Sequence, residues 1–224
     1  MPNTVEYAPG RLVDVFGDAA APTALLWHGT QTDSRAAVRV LAEAIARHGI
    51  CVIAPDWDSH AADRGRADLL RSVEFAESYG GDSGLVLIGW SLGGAAAAGL
   101  TLRASEFNVA VTQAICLGGA FMVVDPISGE PILERVAEEA ARAPFTLLSG
   151  SADDVVPTSV STEFATALRA IGWPVDVVEI DADHGSIAGA RYDAGLDRYE
   201  PADDPVTQAV VDVVAGRIAA IALG

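Results

Sequence analysis

The chain contains no lysine. Its 14 basic residues are all arginine and stand against 31 acidic ones, with only four histidines, so the formal net charge is −17. That balance opposes non-specific binding to nucleic acid and to anionic membrane surfaces. Cysteine is scarce as well, at two residues. Cys51 opens the apolar run Cys51-Val52-Ile53-Ala54 and Cys116 lies within Ala114-Ile115-Cys116-Leu117. Such surroundings predict buried free thiols rather than a disulfide. No N-terminal stretch combines a basic start with an apolar segment, so no signal peptide is expected and the cytoplasm is the default location. No apolar run is long enough to predict a membrane span. Repeats, linkers and low-complexity tails are absent. What remains is 224 residues, 50% of them hydrophobic, which suits one domain over 1–224 with a substantial core.

Short apolar runs alternate with helical patterns along almost the whole chain. Residues 4–16 read as one or two strands around Pro9-Gly10. Strands follow at 25–27, 51–54, 85–88, 111–117, 145–149 and 175–180. Helical patterns occupy 34–48, 64–79, the stretch from Ser91 to about Ala104, 131–142, 158–170 and 205–222. This alternation predicts a mostly parallel sheet.

The sharpest motif is Gly89-Trp90-Ser91-Leu92-Gly93. It has the G-x-S-x-G spacing of a nucleophile elbow and the required context, a strand before it and a run of small residues after it. The two glycines lack a Cβ and allow strand and helix to approach. The hydroxyl then stands at the carboxyl edge of the sheet, where open α/β folds bind ligands. Two further loops leave strands at that edge. Gly150 to Pro157 carries Asp153 and Asp154, and Asp183-His184-Gly185 carries an imidazole. Serine, carboxylate and histidine therefore follow in the order expected for acyl transfer on this kind of sheet. A serine hydroxyl is a weak nucleophile until a base takes its proton. His184 can be that base, and a carboxylate can fix its tautomer. Leu26-Trp27-His28-Gly29-Thr30 ends another central strand. The backbone N–H groups of Thr30 and Leu92 are the candidate oxyanion donors, with Gln31 as the competitor for Thr30. His28 reads as structural, and His60 as a loop histidine near the site mouth.

These residues resemble the α/β-hydrolase superfamily. The likeness rests on His28-Gly29, on Gly89 through Gly94, on Gly150 through Pro157 and on Asp183-His184-Gly185, and it extends over almost the whole chain. It implies a three-layer α/β/α hydrolase fold with a mostly parallel central sheet and no large cap domain. The short length is similar to the compact serine carboxylesterase and dienelactone-hydrolase-like branch. That resemblance makes Asp153 the triad acid, with Asp154 as the alternative. It implies a serine hydrolase that cleaves esters of small or exposed substrates through an acyl-serine intermediate. The alternatives are a thioesterase, lactone hydrolase or acyltransferase with the same triad, or a noncatalytic ligand- or protein-binding relative. No metal and no organic cofactor is expected. Trp57, Trp90, Phe121 and Met122 are candidates for the walls of the substrate pocket, and the polar stretch Ser186 to Arg198 for a further rim. The expected partner is a small-molecule ester, and the chain is expected to be a monomer or a homodimer, with no exposed apolar stripe compelling the latter.

Overall fold

The computed structural model describes residues 2–80, 84–134, 136–137 and 142–224. Strands β1 (Asn3–Ala8) and β2 (Arg11–Phe16) form an antiparallel hairpin closed by Gly10 at φ +74°. They are followed by β3 (Thr23–Trp27), β4 (Cys51–Pro55), β5 (Leu85–Trp90), β6 (Val111–Leu117), β7 (Phe145–Gly150) and β8 (Val175–Ile180). The spatial order is β1-β2-β4-β3-β5-β6-β7-β8, and every pairing from β4 to β8 is parallel. Strands β3, β4 and β5 are buried along their whole length and read as near-continuous apolar runs, as parallel strands between helices do.

Among the described residues, five α-helices cover the sheet: α1 (Arg39–Ala46), α2 (Arg66–Gly80), α3 (Leu92–Thr101), α4 (Thr158–Ala170) and α5 (Pro205–Leu223). Alternate strand residues point to opposite layers. Ala24 and Leu26 pack with Leu41, Ile45, Val211, Val214 and Ile218 of α1 and α5. Leu25 and Trp27 pack with Leu69, Val73, Ala96 and Leu100 of α2 and α3. On that same side, Phe164, Ala165 and Leu168 of α4 join Cys116, Phe145 and Leu147. Both cysteines are free and buried. The predicted three-layer fold is the observed one.

Three local expectations give way. The helix predicted over 34–48 starts as a 3₁₀ turn, Arg35–Val38, held by the Asp56 carboxylate, which accepts from the Arg35 backbone N–H and its guanidinium. Of the helix predicted over 131–142, 131 forms a bridge, 132–134 form a turn and 136–137 lack regular structure, while 135 and 138–141 lie outside the described residues. Finally, α5 is one helix long and apolar enough to cross a membrane by length and composition, and only a third of it is buried. It packs on the core through Val211, Val214, Ala215 and Ile218 and leaves Val206, Val213 and Leu223 exposed.

Among the described residues, no separate cap stands over the sheet. Where one would be inserted, after β6, the chain makes a compact loop closed by an isolated bridge between Val124 and Pro131. Its anchor is Asp125, fully buried, which accepts from the Ile127 and Ser128 backbone N–H groups, the Ser128 hydroxyl and the buried Arg103 guanidinium. Helix α3 lets this carboxylate approach only because residue 99 is glycine: a Cβ there would lie 2.2 Å from the Asp125 carboxyl carbon.

Candidate active site

Ser91 joins β5 to α3 at φ 56° and ψ −119°. For a residue with a Cβ this is a sparsely populated conformation costing about 1–3 kcal/mol. Four hydrogen bonds hold it. The Ser91 N–H donates to the Leu117 carbonyl at 2.9 Å, and the Ser91 carbonyl accepts from Gly94, Ala95 and Ala120. The flanking glycines are steric necessities. A Cβ on Gly89 would lie 2.1 Å from the Gly93 carbonyl oxygen, and one on Gly93 would lie 2.4 Å from that of His28. The strand–turn–helix geometry thus follows from Gly-x-Ser-x-Gly, as the sequence predicts.

The β3 loop crosses beside the serine at Gly29, where a Cβ would be 3.0 Å from the Ser91 Cβ and 3.5 Å from its Oγ. His28 fixes this loop from below and is fully buried. Its Nε2 accepts from the N–H groups of Ser34 and Trp57, and its Nδ1 bonds the Gly29 carbonyl at 2.9 Å. An imidazole with that pattern is neutral, and burial pushes its pKa down to about 3. His28 is therefore structural. The Gln31 N–H is taken by the Gly29 carbonyl at 2.8 Å, whereas the N–H groups of Thr30 and Leu92 have no backbone partner among the described residues.

Asp153 and His184 meet in the interior. His184 Nδ1 lies 2.8 Å from Asp153 Oδ2, with side chains 4% and 0% exposed. The other carboxylate oxygen accepts from the Val155 and Val156 N–H groups at 2.9 and 2.8 Å. Burial alone would push the Asp153 pKa up, but the His184 hydrogen bond and the two backbone donors outweigh it and hold the carboxyl below its ordinary value. Asp154, one residue on, is exposed and does not reach the imidazole. With Nδ1 committed to Asp153, His184 Nε2 has no hydrogen-bond partner among the described residues.

Two of the expected pocket walls lie elsewhere. Trp57 and Trp90 are buried and do not line the mouth. Trp57 stacks on His28 at 5.3 Å between ring centroids. Trp90 lies under His184 at 5.4 Å, and its indole N–H donates to the His184 carbonyl at 2.8 Å. Both supply large apolar area beneath a histidine loop. Phe121 folds back over Gly119 and stacks on Phe164 at 4.0 Å, while Met122 is exposed on the loop after β6.

The stretch Ser186 to Arg198 is more than a rim. A 3₁₀ turn (Ser186–Ala188) is buried, and a second sheet follows from β9 (Ala190–Asp193) and β10 (Arg198–Pro201). This hairpin delivers Tyr199, which sequence reasoning missed. Its ring packs edge-on against Trp90 at 5.0 Å and His184 at 5.8 Å. Gly185 makes the room, since a Cβ there would be 3.1 Å from Tyr199 Cε1. Gly118 was missed too. At φ +49° it lies against the carboxylate–imidazole pair, where a Cβ would sit 3.0 Å from Asp153 Oδ2 and 3.3 Å from His184 Nδ1. The Gly118-Gly119 pair at a strand end was the available signal.

A strained serine at the centre of a parallel sheet, beside a buried carboxylate–imidazole pair from the last two strands, defines the three-layer hydrolase class. The chain belongs to the alpha/beta hydrolase family, whose model matches residues 24–220. Its structure is similar to that of Thermogutta terrifontis esterase 2, seen phosphoramylated by tabun, at TM-score 0.68 and 17% identity over 97% of this chain and 93% of that one. It is similar to S-formylglutathione hydrolase from Staphylococcus aureus at TM-score 0.69 and 16% identity, covering 100% and 96%. An α/β hydrolase from a Medee basin deep-sea metagenome library gives TM-score 0.69 at 15% identity, covering 100% and 98%. These likenesses carry the fold. No curated protein matches the chain significantly.

Proposed function

We propose that the protein is a serine carboxylesterase acting on small or exposed esters. The observation that carries this is the buried Asp153–His184 hydrogen bond at 2.8 Å beside an elbow serine at φ 56°. In this reading His184 Nε2 accepts the Ser91 proton as Oγ bonds to the carbonyl carbon. The oxyanion that forms is held by the N–H groups of Thr30 and Leu92, which have no backbone partner among the described residues. The carbon–oxygen bond to the alcohol then breaks, and His184 returns the proton to the departing oxygen. Water repeats the cycle and releases the acid. Asp153 keeps the Nδ1 proton in place and stabilises the imidazolium. The test is p-nitrophenyl butyrate hydrolysis by wild type and Ser91→Ala. Serine-dependent turnover supports the reading, and equal turnover by the variant overturns it.

The remaining assignments belong to the same proposal. A charge of −17 supports an enzyme without nucleic-acid partners, and two free buried thiols support the cytoplasm. We favour a homodimer. Val206, Val213 and Ala220 recur every seven residues on the exposed side of α5. Val206 and Val213 line a groove of about 680 Å³ together with Glu179, Asp181 and Arg217. Arg217 has no ion pair among the described residues. A two-fold axis would set each Arg217 against Glu179 and Asp181 of a second copy. Light scattering is expected to give a dimer for wild type and a monomer for Val213→Glu; a monomeric wild type overturns it.

A further inference from the structure

Beside the site lies a cleft of about 510 Å³ that no step above uses, bounded by Thr30, Gln31 and His60 on one side and by Tyr192, Leu196 and Tyr199 on the other. Its size is that of a small-molecule subsite. It adjoins the chemistry through two of its neighbours. Thr30 follows Gly29, the residue against Ser91, and Tyr199 is the ring packed on His184. We propose that this cleft holds the alcohol portion of the ester, and that this alcohol is a neutral polyol of glycerol to monosaccharide size. The proposal rests on the serine-esterase reading of the same site.

The side of the site follows from the chemistry. The alcohol oxygen takes its proton from His184 as the carbon–oxygen bond breaks, so the alcohol lies on the flank where His184 meets Tyr199. The opposite flank carries Met122, Val123, Val124 and Val155, all exposed, on the loops after β6 and β7. That apolar side suits a short acyl chain.

The class of alcohol follows from which groups are already satisfied. The charged groups around the cleft already have partners. Arg198 Nε lies 2.6 Å from Glu200 Oε1, Asp197 accepts from the Tyr192 hydroxyl, and Asp58 accepts from the Thr32 hydroxyl at 2.7 Å. Apart from Arg198 Nε, which is ion-paired but makes no hydrogen bond among the described residues, the open groups are dipoles. The Thr30 hydroxyl, the Gln31 amide NH₂ and the Tyr199 hydroxyl have no hydrogen-bond partner among the described residues. Gln31 is held with that NH₂ free because its carbonyl oxygen accepts from the Tyr199 N–H at 3.4 Å. The Tyr199 hydroxyl remains protonated and able to donate, since burial and then the charge of Asp153 raise its pKa to about 12. Neutral donors and acceptors beside two tyrosine rings and Leu196 match hydroxyls on a carbon skeleton. An anionic alcohol would meet no uncompensated cation and a chain of charge −17.

The experiment compares 2,3-dihydroxypropyl butyrate with propyl butyrate, which share the acyl group and the carbon count of the alcohol. Titration of released acid is expected to give the dihydroxypropyl ester a kcat/KM at least ten times higher. Tyr199→Phe and Gln31→Leu are each expected to lower that ratio at least threefold, mainly through KM. A ratio near one, a ratio untouched by both variants, or preferential turnover of choline butyrate or of a phosphorylated glycerol ester overturns the proposal. Binding is read without turnover by titrating methyl glucoside into Ser91→Ala protein. Ring resonances of Tyr192 and Tyr199 are expected to shift and those of Tyr7 to stay; no shift overturns the cleft. Fluorophosphonate labelling of wild type separates the two readings, because an unlabelled Ser91 with shifting tyrosines removes the esterase and leaves the polyol site.

Discussion

Replacing Asp153 with asparagine tests the proposed acid–base pair with little change of shape. The carboxylate accepts three hydrogen bonds, from His184 Nδ1 at 2.8 Å and from the Val155 and Val156 N–H groups at 2.9 and 2.8 Å. An asparagine can keep its oxygen on the two backbone donors. Its NH₂ then faces His184, which must present a bare Nδ1 and carry its proton on Nε2. That tautomer cannot accept the Ser91 proton. The loss for this kind of triad is about 10⁴-fold in kcat, equivalent to about 5 kcal/mol of activation free energy. The stability cost is smaller, about 1.5–3 kcal/mol for a charge-assisted hydrogen bond. p-Nitrophenyl butyrate hydrolysis and urea unfolding on the same samples separate the two effects. Asp154→Asn, at an exposed neighbour, is expected to stay within threefold of wild type. Retention of a tenth of the activity by Asp153→Asn, or an equal loss in Asp154→Asn, refutes the reasoning.

Other consequences follow from the same contacts. Gly93→Ala places a Cβ 2.4 Å from the His28 carbonyl oxygen and is expected to lower stability by about 1–3 kcal/mol or more, read as a lower urea midpoint. Arg103→Leu leaves the buried Asp125 carboxylate without its cation and is expected to cost about 3–5 kcal/mol by the same measurement. Trp90→Phe removes the N–H bonded to the His184 carbonyl at 2.8 Å, leaves that buried acceptor unpaired, and is expected to cost about 1–3 kcal/mol together with part of kcat. The acid limb of stability carries a sign. Asp153 is held below its ordinary value in the fold, so its contribution is present above the unfolded value of about 3.9 and is lost as pH falls toward the folded one. Unfolding free energies of wild type and Asp153→Asn are therefore expected to differ by a constant near neutral pH and to converge in acid.

What the sequence made legible was whatever depends on local sterics. Gly89 and Gly93 flank Ser91 because nothing larger fits, so the elbow was readable from its spacing. Strands β3, β4 and β5 were readable because burial along their whole length gives near-continuous apolar runs. Asp153 and His184 were placed at the right edge by their position after β7 and β8. What escaped depends on distant partners. Trp57 and Trp90 have the same sequence appearance at a pocket mouth as beneath two histidines. The hairpin of β9 and β10 is short and polar, and only its packing of Tyr199 on His184 reveals its place. The exposed stripe of α5 was hidden because its buried stripe is equally apolar.

The central claim is that Ser91 is an activated nucleophile. Its most direct test is intact-protein mass spectrometry after exposure to a fluorophosphonate, followed by peptide mapping, on wild type and Ser91→Ala. One adduct per chain, located on Ser91 and absent from the variant, is the result the account predicts. An unlabelled wild type, or an adduct that persists in Ser91→Ala, would contradict it.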